Sequence, residues 1–424
     1  MYRTETHKIK SNHPLYKFID DLSKNSKDVY NSVLYIVRQE FIKTSKLKET
    51  GQATHANWIG WMDSQKILKE VQIETYNSLP AKSTQLVAKQ VHSNFTGFFQ
   101  AIRSWKKNPT QFKKKPNLPH YLDKNGRNMI PLTNQQFNIK DGNITFLSSL
   151  TKKYKHKKIK TKIDPTHKLI EARIVPHGEF YNLEIVYQIP DSNLKHDEGL
   201  DKKTGEIFSL DSSKFMSIDL GLNNFCTVAN NVDIDFFILN GKPIKSINQW
   251  TNKFQAFKLS QKKKNRVWNK RLNKFKHLFH HYSNYIVGKA LEKGCKTIII
   301  GKNDGWKQKI NIGRRNNQNF VSVPFELFLN MMEYKCEQAN LTMIKIEESY
   351  TSKCSFLDLE PLEKQEKYCG KRIKRGLFIS KQGTKINADL NGALNIARKV
   401  FPNAFKANGI EGFVINPYKI SFTC

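Results

Sequence analysis

Residues 215–230, with the sequence FMSIDLGLNNFCTVAN, give the first indication of the fold. It is apolar up to Ile218, presents Asp219, turns through Gly221 and continues as a second strand-like run over 225–228. An unpaired carboxylate at the end of a buried strand is costly, whereas a divalent metal ion at the edge of a sheet would hold it ionised. The pattern therefore indicates either a metal-binding aspartate or one that caps a turn.

A second acidic residue stands in KINADLNGALNIARKV, residues 385–400. Leu390 and Leu394 mark one helical face and Asn387 is suited to be the N-cap, which places Asp389 in the first turn. A carboxylate in the first turn is favoured by the helix dipole in any protein. Asp389 is thus a candidate metal ligand with a purely structural alternative.

The charge of the chain predicts a polyanionic partner. Its 424 residues include 71 Lys and Arg against 37 Asp and Glu, a formal net charge of +34. With 38% hydrophobic and 11% aromatic residues the chain is too apolar to be disordered, so this charge lies on a folded surface. Nucleic acid is the partner that the composition favours, and an anionic membrane surface is the weaker alternative.

Two further features bear on where the protein works. No run approaches the ~18 consecutive apolar residues of a membrane-spanning helix, and the polar start lacks the apolar core of a secretory signal. The six cysteines include no CxxC pair, which predicts a reducing compartment. We therefore expect an intracellular protein, in the cytoplasm or nucleoid of a prokaryote, or in the nucleus if its source is eukaryotic or viral.

Hydrophobic periodicity divides the chain into regions. Residues 14–107 repeat apolar side chains at three- and four-residue spacing and predict helices, whereas residues 128–190 alternate with period two and predict a small barrel of strands. The opening strand of that barrel is expected from Tyr2 to Lys10. Residues 191–213 are interpreted as a linker or an exposed hairpin. The second half holds three short apolar runs that predict strands, at 215–218, 297–300 and 343–346.

Three basic segments are expected to contact nucleic acid. Residues 105–127 combine prolines with Lys and Arg and predict a basic loop. Residues 251–291 hold eleven Lys and Arg and no acid, and because like charges repel along a helix we favour phosphate binding over a merely solvated face. The third segment is 371–375. The expected contacts are Lys106, Lys107, Lys113, Lys114, Lys115, Tyr121, Arg127, Lys262, Lys263, Lys264, Arg266, Lys270, Arg271, Lys371, Arg372, Lys374 and Arg375.

MSIDLGLNNFCTV resembles the first motif, and NADLNGALNIARK the third motif, of the RuvC-type nuclease domain of the TnpB family. These transposon-encoded RNA-guided endonucleases are similar to type V CRISPR effectors and to the Fanzor proteins. The resemblance implies an α/β multidomain fold, in which an RNase H-like RuvC domain accompanies an oligonucleotide-binding-like β-barrel, the wedge domain, with an inserted helical recognition domain.

The resemblance covers nearly the whole chain and implies its domain boundaries. These are a first wedge strand at 1–13, the recognition domain at 14–107, the wedge barrel at 108–190, a linker at 191–213 and the RuvC-like domain at 214–424. The last of these would contain a basic helical insert at 250–292 and a degenerate zinc-ribbon-like insert at 351–380.

The middle motif of the family carries a glutamate directly after a strand, and this sequence departs from it. Here the run 297–300 is followed by Gly301, so either the nuclease is inactive or the third carboxylate has moved. In MIKIEESYTSK, strand parity favours Glu348 over Glu347 as the replacement. Fanzor proteins and a subset of TnpB are similar in having a glutamate just before the TSK segment, and Asp304 is a further alternative.

A second departure concerns zinc. The family usually has paired CxxC motifs after TSK, whereas this chain offers Cys354 and Cys369 and no histidine between 352 and 424. A closed structural zinc site needs four N or S ligands. We therefore expect no structural zinc, and we expect KYCGKRIKRGLF, residues 367–378, to form a basic loop or hairpin.

If Asp219, Glu348 and Asp389 converge, their carboxylates can bind two Mg²⁺ ions about 3.5–4 Å apart and support phosphodiester hydrolysis. The resemblance then implies a DNA endonuclease of a mobile element, with a guide RNA derived from the transposon end and double-stranded target DNA that carries a short adjacent motif. A monomer is favoured. The alternatives are a nuclease-inactive RNA-guided repressor and a conventional transposase.

Overall fold

The protein folds as two compact units, Met1–Asn193 and Leu194–Cys424, in a computed structural model. The structure describes residues 2–146, 158–189, 212–255, 257–303, 313, 320–374, 376–403 and 416–422. Within these ranges no helix combines the length and the apolar character needed to cross a membrane. The interpretation of 191–213 as a linker lies almost wholly outside the described residues.

The first unit begins its helical part where the three- and four-residue spacing predicts it. Val33 and Val37 of the first helix pack in one buried cluster with Val87, Val91 and Phe95 of the fourth. The helices are α1 (Tyr16–Glu49), α2 (Trp61–Val71), α3 (Ile73–Asn77) and α4 (Ala81–Lys107).

The strands of the first unit form two antiparallel sheets around one apolar core. The predicted opening strand is present and pairs along its length with the last strand of the unit, Tyr2 opposite Gln188. The strands are β1 (Tyr2–Lys10), β2 (Ile130–Thr133), β3 (Phe137–Lys140), β4 (Asn143–Phe146), β5 (Ile159–Lys160), β6 (Lys168–Pro176) and β7 (Phe180–Gln188). Their orders are β1-β7-β6-β2 and β3-β4-β5. Ile9 and Leu183 of the larger sheet share a buried cluster with Phe137 and Ile144 of the smaller one.

The second unit is built on a six-stranded mixed sheet. The strands are β8 (Phe215–Leu220), β9 (Asn224–Asn230), β10 (Phe237–Asn240), β11 (Thr297–Gly301), β12 (Thr342–Ile346) and, as the last strand of the chain, β16 (Tyr418–Ile420). Their order is β12-β11-β8-β9-β10-β16. β11 runs parallel to β8 and β12, whereas β9 is antiparallel to β8 and β10. This arrangement is that of an RNase H-like domain, which confirms this part of the predicted α/β multidomain fold.

Helices cover both faces of this sheet. The helices are α5 (Lys242–Gln255), α6 (Gln261–Glu292), α7 (Phe325–Gln338) and α8 (Ala388–Val400). On one face Met216, Ile218 and Ile298 pack with residues of α5, α6 and α7. On the other face Phe215 and Ile299 pack against α8. Alternate residues of β8 therefore point to opposite layers, and Asp219 has the parity of the α8 side.

A small three-stranded sheet, the second sheet of this unit, follows the TSK segment. It consists of β13 (Lys371–Lys374), β14 (Leu377–Ile379) and β15 (Lys385–Ile386), in that order. β13 and β14 pair antiparallel, which confirms the predicted basic hairpin. Phe378 of β14 is buried in one cluster with Leu390 and Leu394 of α8. The hairpin is thus fixed to the helix that carries Asp389.

Candidate active site

Asp219 lies at the carboxyl end of an inner strand of the six-stranded sheet. β8 has β11 on one side and β9 on the other, and Asp219 lies at the edge of the sheet where β8 ends, as the strand-turn pattern predicts. The Asp219 side chain is half-buried and faces α8. A Cβ atom on Gly392 of α8 would lie 2.9 Å from Oδ2 of Asp219, so the absence of a side chain at 392 lets the helix approach the carboxyl group.

Glu348 reaches the same region from the neighbouring end of β12. Its backbone N–H donates to Oδ1 of Asn303 at 2.8 Å, in the loop after β11. A Cβ atom on Gly301 would lie 3.4 Å from Cδ of Glu348. The Glu348 carboxyl group therefore lies beside the backbone position where the middle motif of the family carries its glutamate.

The neighbouring Glu347 is placed differently. Its side chain is exposed, and its backbone carbonyl accepts a hydrogen bond from Nζ of Lys399 at 3.0 Å. Glu348 is the half-buried member of the pair, and its Oε1 is a buried oxygen without a hydrogen-bond partner among the described residues. Strand parity and burial thus select the same glutamate. Asp304, the third alternative, lies outside the described residues.

Asp389 occupies the first turn of α8, as the sequence predicts. Oδ1 of Asn387 accepts hydrogen bonds from the backbone N–H groups of Asp389, at 3.0 Å, and of Leu390, at 3.2 Å, which caps the helix. Oδ2 of Asp389 accepts from Nδ2 of Asn224 at 2.6 Å, and its Oδ1 accepts from Arg372 at 3.1 Å.

The three carboxyl groups interact electrostatically. Burial raises the pKa of Asp219 well above its ordinary value, and the charges of Glu348 and Asp389 raise that pKa further, while Arg372 opposes the change. Burial raises the pKa of Glu348 to about 7, against the opposing charge of Lys399. The raised pKa of Asp219 thus reflects poor solvation and repulsion by the other two carboxylates, and a bound cation would relieve both.

The donor set fits a hard divalent ion, since it consists of carboxylate oxygens and includes one oxygen without a partner among the described residues. The geometry is not closed, however. In the part of the chain that the structure describes, no group of three or more His, Cys, Asp and Glu side chains is arranged to hold a metal ion. Asp389 is turned to Asn224 and Arg372 instead. Both oxygens of Asp389 thus accept hydrogen bonds from other side chains, whereas Oε1 of Glu348 has no partner among the described residues.

Two buried asparagines position the site and were not identified from the sequence. Nδ2 of Asn391 donates to the carbonyl of Cys354 at 2.9 Å, and Nδ2 of Asn395 donates to the carbonyls of Thr351 and Cys354 at 2.9 and 2.8 Å. Both side chains are fully buried. They connect the TSK segment, which begins three residues after Glu348, to the helix of Asp389. The available signal was two amides four residues apart on the apolar face of α8.

The two cysteines after the TSK motif lie in different surroundings. Cys354 is buried, and its thiol donates to the carbonyl of Pro361 at 3.3 Å. Cys369 is exposed. The expectation of no structural zinc stays a prediction.

The expected nucleic-acid contacts in the first unit fall into two groups. Lys106, Lys107 and Lys113 to Lys115 are exposed, and Tyr121 is exposed with the Arg38 guanidinium 5.1 Å from its ring centre. Arg127 instead makes a two-point ion pair with Asp20, at 2.6 and 2.9 Å, whose carboxylate also accepts from the Tyr181 hydroxyl. Arg127 therefore joins the basic loop to α1 and β7.

The basic stretch of the second unit divides along α6. Its N-terminal part exposes Lys262, Lys263, Lys264, Arg266 and Lys270. Its C-terminal part buries Phe275, Phe279 and Tyr282 in the core under the sheet, so these interleaved aromatics are packing residues.

The other predicted contacts of this unit have mixed surroundings. Arg271 is half-buried, donates to Asn248 and Ser322, and stacks on Trp268 and Phe275. Lys371, Arg372 and Lys374 are exposed on β13, and Arg375 lies outside the described residues.

Comparison with known families divides the second unit into two matched parts. A family model described as OrfB_IS605, a probable transposase, matches residues 209–307. A model described as a Cas12f1-like TNB domain matches residues 325–396. The first range includes Asp219 and Gly301, and the second includes Glu348 and Asp389.

Two curated proteins are similar to parts of the chain. The TnpB-like protein ORF457 of Acidianus two-tailed virus is 24% identical over 224 residues, which cover 48% of this chain and 46% of that protein. The CRISPR-associated endodeoxyribonuclease Cas12f1 of Sulfoacidibacillus thermotolerans is 33% identical over 123 residues, which cover 28% of this chain and 25% of that protein. The matched stretches thus span less than half the length of either relative.

Among solved structures, the chain is similar to a Cas12f1-sgRNA-target DNA complex with a TM-score of 0.35 and 16% identity, covering 93% of this chain and 99% of the other. It is also similar to CasPhi-2 (Cas12j) bound to crRNA, with a TM-score of 0.35 and 10% identity, covering 96% and 99%.

Proposed function

We propose that this chain, which is similar to a TnpB-like viral protein and matches the OrfB_IS605 and Cas12f1-like TNB domain models, is an RNA-guided DNA endonuclease that hydrolyses phosphodiester bonds at Asp219, Glu348 and Asp389. The observation that carries the proposal is the placement of Glu348. Its carboxyl group lies beside Gly301, at the position left empty in the middle motif, and its charge raises the pKa of Asp219. A glutamate with no role beyond ending a strand would be expected to expose its carboxyl group to solvent, whereas Glu348 is half-buried.

The three carboxylates would hold Mg²⁺, which supplies activation of water and stabilisation of the leaving oxygen in phosphodiester hydrolysis. The residues of the chain prepare that site. Asn224 orients Asp389 through a 2.6 Å hydrogen bond, and Asn303 fixes the backbone of Glu348. Because the pKa of Glu348 is raised to about 7, this group is ionised above neutral pH and is protonated in acid. Metal binding therefore weakens as the pH falls through 7.

RNA and DNA are the proposed partners. The relative Cas12f1 is named as an endodeoxyribonuclease, and one structural neighbour is a complex with sgRNA and target DNA. We propose that base pairing with a guide RNA selects the target and that the exposed lysines of the 105–127 loop and of α6 bind phosphates. The derivation of the guide from a transposon end belongs to the same proposal.

A second candidate is a nuclease-inactive RNA-guided binder. It is favoured by the ion pair between Arg372 and Asp389, which neutralises one of the three carboxylates. A conventional transposase is a third candidate, because the family model over 209–307 is described as a probable transposase.

The test compares cleavage by the wild type and by variants of the full chain. Each protein is combined with the native-locus RNA and Mg²⁺ and given a plasmid library that has randomised sequence beside the target. We expect cleavage by the wild type and a loss of at least about 100-fold in Asp219→Ala and in Glu348→Ala, about 3 kcal/mol of transition-state stabilisation. The matched control is Glu347→Ala, because Glu347 is the exposed neighbour of Glu348.

Each candidate predicts a different result. Full cleavage by Glu348→Ala would contradict the relocated carboxylate. RNA-dependent target binding by a wild type that never cleaves would select the inactive binder. Strand-transfer products formed without RNA would select the transposase.

A further inference from the structure

The Arg372–Asp389 ion pair lies inside the candidate metal site. The guanidinium NH2 donates to Oδ1 of Asp389 at 3.1 Å, and the other oxygen of that carboxylate is taken by Asn224. The two side chains are 43% and 26% exposed, so the pair borders solvent. The charge of Arg372 also lowers the pKa of Asp219. Among the described residues, this is the basic side chain that contacts a candidate metal ligand directly.

The fold places Arg372 there through the β13–β14 hairpin. The pairing of β13 with β14 shifts register between Arg372 and Lys374, and such an irregularity redirects the side chains around it. Gly370, just before β13, lies against the Phe378 ring so closely that a Cβ atom would be 2.4 Å from it. The base of the hairpin is therefore pressed onto the core.

The tip of the hairpin is also attached near the site. The backbone N–H of Ala388, the first residue of α8, donates to the carbonyl of Gly376 at 3.3 Å. Asp389 is the next residue. The segment that carries Arg372 is thus held at its tip by this hydrogen bond and at its base by packing against Phe378.

We propose that Arg372 is the counter-ion of Asp389 in the metal-free protein and must leave this carboxylate before a divalent cation can use it as a ligand. This inference rests on the metal site of the proposed function. It adds that Arg372 competes with the cation for the Asp389 carboxylate. It accounts for the open geometry described above, since Asp389 cannot close on Asp219 and Glu348 while Arg372 holds its Oδ1. The released guanidinium then needs another anion, and a nucleic-acid phosphate has the matching chemistry.

The probe is Mn²⁺, titrated into the full chain after nuclease treatment and a high-salt wash have removed nucleic acid, with free Mn²⁺ counted by electron paramagnetic resonance. We expect Arg372→Gln to bind Mn²⁺ about two- to fivefold more tightly than the wild type, the range that an ion pair bordering solvent contributes. Lys385→Gln is the matched control, because it removes one charge from β15 of the same sheet. We expect its Mn²⁺ affinity to equal that of the wild type.

Two results would overturn the counter-ion role. One is an Arg372→Gln affinity equal to that of the wild type. The other is an equal gain in Lys385→Gln, which would reflect the general field of a basic protein.

Asp389→Asn separates this inference from the proposed function. We expect it to weaken Mn²⁺ binding, and we expect Arg372→Gln to give no gain in affinity when the two changes are combined. If Asp389→Asn binds Mn²⁺ as tightly as the wild type, the metal site of the proposed function fails and the counter-ion role fails with it. If Asp389→Asn weakens binding but Arg372→Gln alone has no effect, only the counter-ion role fails. Thermal unfolding of each variant verifies that it is folded.

Discussion

Gly301 lies where Ile396 of α8 and the carboxyl group of Glu348 both approach β11. A side chain at 301 would have to share space with Ile396 of α8, whose Cδ1 would lie 2.5 Å from a Cβ atom there. The space next to it is filled by the carboxyl group of Glu348, at 3.4 Å. The segment after the neighbouring strand thus places a carboxyl group beside position 301, and α8 packs against the same position.

We predict that Gly301→Ala destabilises the protein by about 1–3 kcal/mol, because the added methyl group overpacks a site in which Ile396 is fully buried. Ile396→Val removes the atom that the methyl group would strike. The cost of Gly301→Ala should therefore be smaller in the Ile396→Val background. Urea unfolding of the two single variants and the double variant measures this coupling. Strict additivity of the two changes would contradict the packing described here.

Glu348 gives a pH dependence with a definite sign. Its pKa in the folded protein is raised to about 7, above its ordinary value of 4.5, so the folded state holds this proton more tightly than the unfolded state does. The metal-free protein therefore loses stability as the pH rises from about 4.5 to about 7. The loss is on the order of 1–3 kcal/mol, allowing for solvent screening of a half-buried group.

We predict that Glu348→Gln removes this loss. At pH 5 the variant and the wild type should be about equally stable, because glutamine resembles the protonated acid. At pH 8 in EDTA the variant should be the more stable by on the order of 1–3 kcal/mol. Urea midpoints at the two pH values measure the difference. A wild type that gains stability over the variant between pH 5 and pH 8 would show that Glu348 is held ionised by a partner.

Among the secondary-structure elements, α6 is buried in its C-terminal part and exposed and basic in its N-terminal part. Its C-terminal part contributes Phe275, Phe279 and Tyr282 to the core, whereas its N-terminal part exposes a row of lysines. Ser260 caps the exposed end, accepting a hydrogen bond from the backbone N–H of Lys263. Because the C-terminal part of the helix is anchored in the core, the exposed lysines of its N-terminal part are held at fixed spacing along the helix.

We predict that the triple variant Lys262→Gln, Lys263→Gln, Lys264→Gln binds single-stranded RNA more weakly and with a shallower salt dependence. Each lost phosphate contact removes about 0.7 from the slope of log K against log salt concentration, so three contacts remove about 2. Fluorescence anisotropy across a salt series measures both quantities with the RNA-free full chain.

The control for this prediction removes the same charge elsewhere. Lys43, Lys46 and Lys48 are exposed near the end of α1, and changing them to Gln also lowers the net charge by three. We expect this variant to retain the wild-type slope. Equal slopes for both triple variants would mean that net charge, and not the end of α6, determines RNA binding.

At the scale of the whole molecule, a net charge of +34 repels itself unless a polyanion neutralises it. We predict that the purified protein carries nuclease-sensitive absorbance at 260 nm and a defined RNA. We also predict opposite effects of salt on its two forms. The melting temperature of the RNA-free chain should rise between about 50 and 500 mM NaCl as repulsion is screened, whereas that of the RNA complex should fall as phosphate contacts weaken.

Two observations would count against this interpretation. Protein that purifies free of RNA when its native locus is expressed would contradict the guided function. Melting temperatures that change with salt in the same direction for both forms would show that the bound RNA does not neutralise the surface that causes the repulsion.

Features that depend on neighbouring residues could be predicted from the amino-acid sequence alone. The strand at Phe215–Leu220, the capped helix at Ala388–Val400 and the opening strand at Tyr2–Lys10 follow from periodicity and capping, which act over a few residues. The net charge and its grouping into basic segments are also properties of the chain alone. Together with two short motifs, these local signals were sufficient for the fold class.

Which of these groups contact one another depends on the folded chain and could not be predicted from local sequence. Periodicity cannot tell that β8 is an inner strand, that Arg127 pairs with Asp20, or that Arg372 occupies Asp389, because each depends on segments far apart in the chain. The same holds for Glu348, whose carboxyl group enters the site because β12 runs parallel beside β11 and Gly301 leaves it room. Residue types and spacing identify candidate site residues. What each carboxylate contacts depends on burial and distance, which exist only in the folded chain.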